Sequence, residues 1–255
     1  MAPPASLADR PVLVAPAPFG GGLRAPVVAG AIGRALEAAG LRPPELCPVT
    51  SGGAGTIEVL LPALGGETAD GFALVEDGGT ALVEPADDPA GPAGRLDAAG
   101  AAGPAVIVLA AADAAPGHVA RALAARDGGR GGRGGPRTVI LTAAGAAPEP
   151  DLPAGAVAES GTRFVLDALD IDPRLRAARA VVVGTGRLDD RALRGAVEGE
   201  IAVRARQAGV PCHAVVGERV LDLFATRILD LQRIVEARTA AAIEAAAGDA
   251  LAGVL

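Results

Sequence analysis

The chain has 255 residues, half of them apolar, and a formal net charge of −7. That length can bury a sizeable core, as one large domain or two small ones, and the acidic balance argues against a general nucleic-acid binder. There is no Lys, Trp, Tyr or Asn, and all 23 basic residues are Arg, so no lysine can hold a phosphate, form a Schiff base or act as a base.

Taken in chain order, short apolar runs alternate with helical patterns, as in a parallel sheet flanked by helices. Met1–Arg10 is Pro/Ala-rich and lacks a signal-peptide core, so a cytoplasmic location is expected. Val12–Ala15 predicts a first strand, Pro26–Ala39 an amphipathic helix stopped by Gly40, and Glu45–Val49 a second strand. The turn Ser51-Gly52-Gly53-Ala54-Gly55-Thr56 then leads into a helix over Ile57–Leu64. Gly71–Val75 and Thr80–Val83, around Glu76–Gly79, predict an antiparallel hairpin. Pro85–Pro104 has little periodicity and reads as a loop.

Val106–Leu109 and Thr138–Thr142 predict strands and His118–Ala125 a helix, while Asp127–Arg137 is low-complexity and a Pro-rich link covers 148–153. Further on come a helix over Thr162–Leu169, a strand over Ala180–Val183, a helix over Ala196–Ala208 and a strand over Cys212–Val216. Arg227–Leu231 reads as a last strand and Glu236–Ala247 as a closing helix. No apolar run approaches membrane-span length. Cys47 and Cys212 read as reduced, buried thiols.

The organisation is therefore α/β and two-lobed. A discontinuous Rossmann-like parallel-sheet lobe spans 1–64 plus 172–255, with an inserted, smaller α/β lobe over 65–171. A cleft between two lobes is a favoured place for a ligand.

The most specific stretch is Val181–Gly195, VVVGTGRLDDRALRG, in which a β-branched run stops at a Gly-x-Gly turn before a polar segment. It resembles the TGEGRLDxQSLxGK signature of the bacterial-type glycerate kinases through Gly184, Gly186, Arg187, Leu188, Asp189, Leu193 and Gly195. Two earlier stretches, APAPFGGGLRAPVVAGAI and PVTSGGAGT, are similar to that family's APDSFKGSLSAxEVAxAI and PVADGGEGT. Ala115–Ala125 and VILTAAGAAPEPD echo further family segments, and FVLDALDIDPRLRAARAVVVGTGRLD follows a late one closely. A segment of the family's second lobe is missing between about Asp151 and Ser160.

The resemblance implies phosphoryl transfer from ATP, with Mg²⁺, to a hydroxyl of glycerate. Such transfer is catalysed by positioning and charge neutralisation. Glycine turns can hold phosphate oxygens, which makes Ser51, Gly52, Gly53, Gly55, Thr56, Gly184, Thr185, Gly186 and Gly21 candidate nucleotide- or substrate-binding residues. Arg24 and Arg187 could grip a carboxylate or phosphate. Asp189 and Asp190 are the candidate metal ligands, with Asp189 and Arg187 the candidate catalytic pair.

Each of these residues also has a purely structural reading. The glycines can serve a tight turn, Asp189 a helix cap and Arg187 an ion pair. Several charges of the family pattern are absent. Ala17, Ser51, Ala54 and Thr185 stand where it has acids, and Gly20 and Ala196 where it has lysine. Weak or lost phosphorylation is therefore expected, with a non-catalytic relative that binds a small anion such as glycerate, or a partner, as the alternative. A dinucleotide-binding oxidoreductase is a lesser alternative, because Asp189 stands at the third glycine of that fingerprint. No nucleic-acid or membrane partner is expected.

Overall fold

The computed structural model describes residues 9–69, 71–84, 91–114, 123, 135–146, 152 and 155–255. They form two units, Met1–Val49 with Leu169–Leu255, and Thr50–Ala168.

The first unit is built on a five-stranded parallel sheet. Its strands are β1 (Val12–Pro16), β2 (Glu45–Leu46), β9 (Ala180–Thr185), β10 (Cys212–Val216) and β11 (Leu231–Glu236), in the order β11-β10-β9-β1-β2. Strands covered on both faces are apolar without alternation, and every residue of β1 and β10 is buried. Helices α1 (Ala25–Ala38) and α8 (Ala240–Leu251) pack together on one face. Val28, Ile32 and Leu36 of α1 meet Val12, Val14, Val182 and Val215 of the sheet and Ile243, Ala247 and Leu251 of α8. Pro26 sits in the first turn of α1, where its missing N–H costs nothing. Thr239 caps α8 by accepting the Ala242 N–H at 3.2 Å.

Helices α5 (Ile171–Ala177) and α6 (Val197–Ala208) pack against each other, with α6 on β9 and β10. From β1 the chain crosses through α1 to β2, and from β9 it crosses the other way through α6 to β10. Right-handed crossovers running in opposite directions put their helices on opposite faces. The carboxyl ends of β1 and β9 are thus a topological switch point, where open α/β sheets take ligands.

The second unit carries a six-stranded mixed sheet in the order β3-β4-β5-β6-β7-β8. These are β3 (Glu67–Ala69), β4 (Phe72–Val75), β5 (Thr80–Val83), β6 (Val106–Ala110), β7 (Arg137–Thr142) and β8 (Ala156–Ser160). The pairs β3–β4 and β4–β5 are antiparallel and the rest parallel. Helix α3 (Gly91–Ala101) presses Leu96 and Ala99 onto Phe72, Val83, Ile107, Leu109 and Ile140. Helix α2 (Thr56–Leu64) packs on β4 and on α4 (Gly161–Ala168). A short α7 (Leu223–Ile228) links β10 to β11 in the first unit.

The mixed α/β class and the hairpin match the expectation. Several elements do not. The expected loop over Pro85–Pro104 contains α3, because a helix of Ala, Gly and Pro has few large residues to show a period. Strands β3 and β8 are short and exposed, so neither carries an apolar alternation, and helix α5 is one more element the sequence reading lacks. The last strand is Leu231–Glu236, not Arg227–Leu231, since Asp230 turns the chain at a φ of 57°. Helix α2 belongs with the second unit, so the boundary falls at Val49/Thr50, and the later one at Ala168/Leu169. The expected helix at His118–Ala125 (Leu123 apart), most of the Asp127–Arg137 run and most of the Pro-rich link lie outside the described residues.

Both cysteines are free and buried. Burial pushes the Cys47 thiol up to about 11 and that of Cys212 to about 12, so both stay protonated. Among the described residues, no helix is long and apolar enough to cross a membrane.

His213 in β10 is 3% exposed, and neither ring nitrogen meets a partner among the described residues. Burial, then the charge of Arg233, lowers its pKa from the usual 6.5. The unfolded chain therefore binds this proton more readily, and stability falls as pH drops below about 6.5. We expect His213→Leu to flatten that acid limb and to stabilise the fold by about 1–3 kcal/mol at pH 5 through loss of an unsatisfied buried group. Denaturant midpoints at pH 5 and pH 8 check this.

Candidate functional site

Three chain corners of the first unit interlock at the switch point. The Ala17 N–H donates to Gly184 O at 2.7 Å, and the Gly217 N–H to Thr185 O at 2.9 Å. Glycine is required here by close approach. A Cβ on Gly184 would lie 2.7 Å from Pro16 Cβ, one on Gly186 2.2 Å from Phe19 O, and one on Gly217 2.5 Å from Gly186 O. The Gly-x-Gly of β9 is thus what lets the corners after β1, β9 and β10 nest.

The corner after β1 continues into an open loop. Gly20, Gly21 and Gly22 have φ of 74°, 56° and 87°, and a Cβ on any of them would meet nothing within 4 Å. Three successive left-handed residues demand glycine for conformation. The loop runs into Arg24 at the head of α1, whose side chain makes no cap. Gly21, Arg24, Gly184, Thr185, Gly186, Arg187, Asp189 and Asp190 are all brought to this edge of one sheet.

The charges here are closed on one another. Asp189 accepts from Arg191 Nε at 3.0 and 3.1 Å and from the Arg191 backbone N–H at 3.0 Å. Arg187 Nε lies 3.4 Å from Asp189, and its Nη1 donates to Glu218 at 2.8 Å. Asp190 pairs with Arg194. The Arg191 hydrogen bond outweighs burial and holds the Asp189 carboxyl below its ordinary value. Asp189 is therefore a fixed anion that organises two guanidiniums and a tight turn, and is a weak proton acceptor.

Glu198 is a further acid at this edge of the sheet that no motif in the sequence marks. It lies in the first turn of α6 and is 7% exposed. Burial raises its pKa to about 7, countered by a backbone hydrogen bond and Arg191 and reinforced by Asp189. Its signal was present, because Glu198, Ile201, Ala202 and Ala205 share one buried helical stripe. An acid in the apolar phase marks a carboxyl with a perturbed proton affinity.

The second glycine turn belongs to the other unit and is also tightly used. Gly52, at φ 85°, would place a Cβ 2.5 Å from Gly161 Cα. Thr56 is fully buried and donates to Gly53 O at 2.6 Å. Gly55 takes a φ of 83° to enter α2, and Ser51 O lies against Gly161. The Ala54 N–H donates to Asp113 Oδ2 at 2.8 Å, and the Ile57 N–H to Glu84 Oε1 at 2.7 Å. The Ala54 donor of the turn and the Ile57 donor just beyond it thus face carboxylates of the same unit. A separate groove of about 610 Å³ in this unit is floored by Leu82, Val108 and Val139 and contains none of the predicted site residues.

Fold and corners together define a two-lobed α/β protein with a doubly wound parallel sheet and a glycine-built switch point. Residues 139–250 match the family model of the glycerate kinase family. The fold matches a crystal structure from Salmonella typhimurium LT2, provisionally described as glycerate kinase 2, with a TM-score of 0.65 and 18% identity. The match covers 96% of this chain and 98% of that one. No curated protein matches the chain. Residues 139–250 thus resemble the glycerate kinase family, and the fold of the chain as a whole is similar to that of the Salmonella protein.

Two substitutions test this geometry. Gly186→Ala should cost about 1–3 kcal/mol, since its Cβ would strike a backbone carbonyl, and a lowered thermal midpoint measures it. For Glu198 the folded pKa is raised, so its contribution is complete below the unfolded value of 4.5 and is lost as pH rises through about 7. Glu198→Gln should therefore gain stability over wild type at pH 8 but not at pH 4, as read by denaturant titration.

Proposed function

We propose that this chain binds a small hydroxy-carboxylate such as glycerate at the β1/β9 switch point and phosphorylates it weakly or not at all. The observation that carries this reading is the self-neutralised charge set. Asp189 is held by Arg191 and Arg187, and Asp190 by Arg194. A carboxylate with lowered proton affinity is a poor base for a hydroxyl. With no lysine in the chain, cations for a phosphoryl in transfer must come from arginines, and Arg187 and Arg191 are already paired.

The residues here do not fit a resident Mg²⁺. The ion wants free carboxylate oxygens, and those of Asp189 face guanidiniums. Among the described residues, no group of three or more His, Cys, Asp or Glu could hold a metal ion. What the corner can offer is donors. The Gly20–Gly22 loop ahead of α1 suits an anion, and Arg187 could exchange Glu218 or Asp189 for a ligand carboxylate.

A second reading, ATP-dependent phosphorylation of glycerate, is favoured by Glu198. It is a carboxyl beside Arg191 whose proton affinity lies near neutral pH, the range suited to a general base.

Calorimetry and a coupled assay with ATP, glycerate and Mg²⁺ separate the two. We expect saturable glycerate binding, weakened at least tenfold by Arg187→Ala, with no phosphoglycerate formed above a no-enzyme blank. Clear turnover that Glu198→Gln abolishes would establish the second reading. Absence of glycerate binding would sink the first.

A further inference from the structure

The glycine turn of the second unit has the sequence form of a phosphate cradle, but the chain supplies its own anion there. We propose that Asp113 is a built-in carboxylate ligand of the Ser51–Thr56 turn and sets its selectivity by keeping phosphoryl oxyanions out. The inference concerns the second unit alone and does not depend on the glycerate reading.

Three observations carry it. First, the contact is tertiary. The Ala54 N–H donates to Asp113 Oδ2 at 2.8 Å across 59 residues, so this is no ordinary cap supplied by the residue preceding a helix. Second, Gly53 is a glycine for this carboxylate. Its φ is not in the left-handed region, so conformation does not demand glycine. A Cβ there would lie 2.0 Å from Asp113 Oδ2, 2.4 Å from Cγ and 2.9 Å from Oδ1. The carboxylate thus lies against the bare Cα, in the space a bound oxyanion would use when backbone approaches it closely. Third, the loop bearing Asp113 is docked by its backbone, since the Ala112 N–H donates to Gly52 O at 3.2 Å.

The electrostatics follow from these contacts. The turn precedes α2, whose N-terminal end favours negative charge. Asp113 meets that demand with a single charge. Glu84, from the end of β5, adds a second on the Ile57 N–H. A phosphate dianion entering the turn would have to displace Asp113 while facing Glu84. Asp113 is exposed, so its side chain can rotate away once its charge is no longer the best ligand.

The test uses the full chain, ¹⁵N-labelled, with wild type, Asp113→Ala and Asp113→Asn titrated with inorganic phosphate and with acetate. In wild type the Ala54 amide resonance should not respond to phosphate. In Asp113→Ala the Gly53–Thr56 amides should shift saturably, with an apparent affinity at least tenfold tighter than wild type. Acetate should also bind there and return the Ala54 amide toward its wild-type position. Asp113→Asn keeps an acceptor without the charge and should fall between the two, which keeps the test open if the alanine variant folds poorly. A phosphate response equal in all three proteins, or none in either variant with the fold intact, overturns the proposal. Glycerate titration of wild type reports separately on the first unit, so the two readings fail independently.

Discussion

The backbone-to-backbone approach of Gly186 to Phe19 O is the constraint on which the switch point depends. Three corners at the ends of parallel strands normally stand apart by the width of their side chains. Here Gly184, Gly186 and Gly217 remove those side chains, and the corners close onto one another through carbonyls and amides. That closure fixes where Leu188 turns toward Glu218, and so where Arg187, Asp189 and Arg191 come together. The Gly20–Gly22 loop, by contrast, is closed by the Phe19 N–H on Leu23 O and the Leu23 N–H on Gly20 O.

Once the corners are closed, the charges have few places to go. Asp189 lies between two arginines with a side chain only 15% exposed, and Glu198 lies deeper still. Partly buried charges persist when paired, because the pair offsets the loss of water. Ala17, Ser51, Ala54 and Thr185, and Gly20 and Ala196, are small neutral residues where the sequence pattern this chain resembles has acids and lysines. The remaining charges pair with one another, Asp189 with Arg187 and Arg191 and Asp190 with Arg194. The second unit repeats the theme with opposite parts, since backbone donors expected to face a ligand face Asp113 and Glu84.

Much of this was legible in the residues. The parallel sheet of the first unit follows from uninterrupted β-branched runs such as Val181–Val183, and the hairpin of the second from the Glu76–Gly79 turn. The Gly184–Asp189 corner stood out because a strand, a glycine pair and a polar segment occur in that order. Helix α3 did not, because Ala, Gly and Pro carry too little side chain to print a period. Strands β3 and β8 escaped because neither buries a face, and Asp230 set the start of β11 through a backbone angle that no apolar pattern reports.

The sequence by itself determined the α/β class, the glycine-marked corners and the absence of lysine, because periodicity and composition are local properties that survive without the fold. Tertiary structure alone decided what those corners hold. Asp113 lies 59 residues from Ala54, and Glu218 lies 31 from Arg187. Separations of that kind leave no trace in local pattern. Pairing, burial and proton affinity are set by which atoms the fold brings within hydrogen-bond distance and which waters it removes.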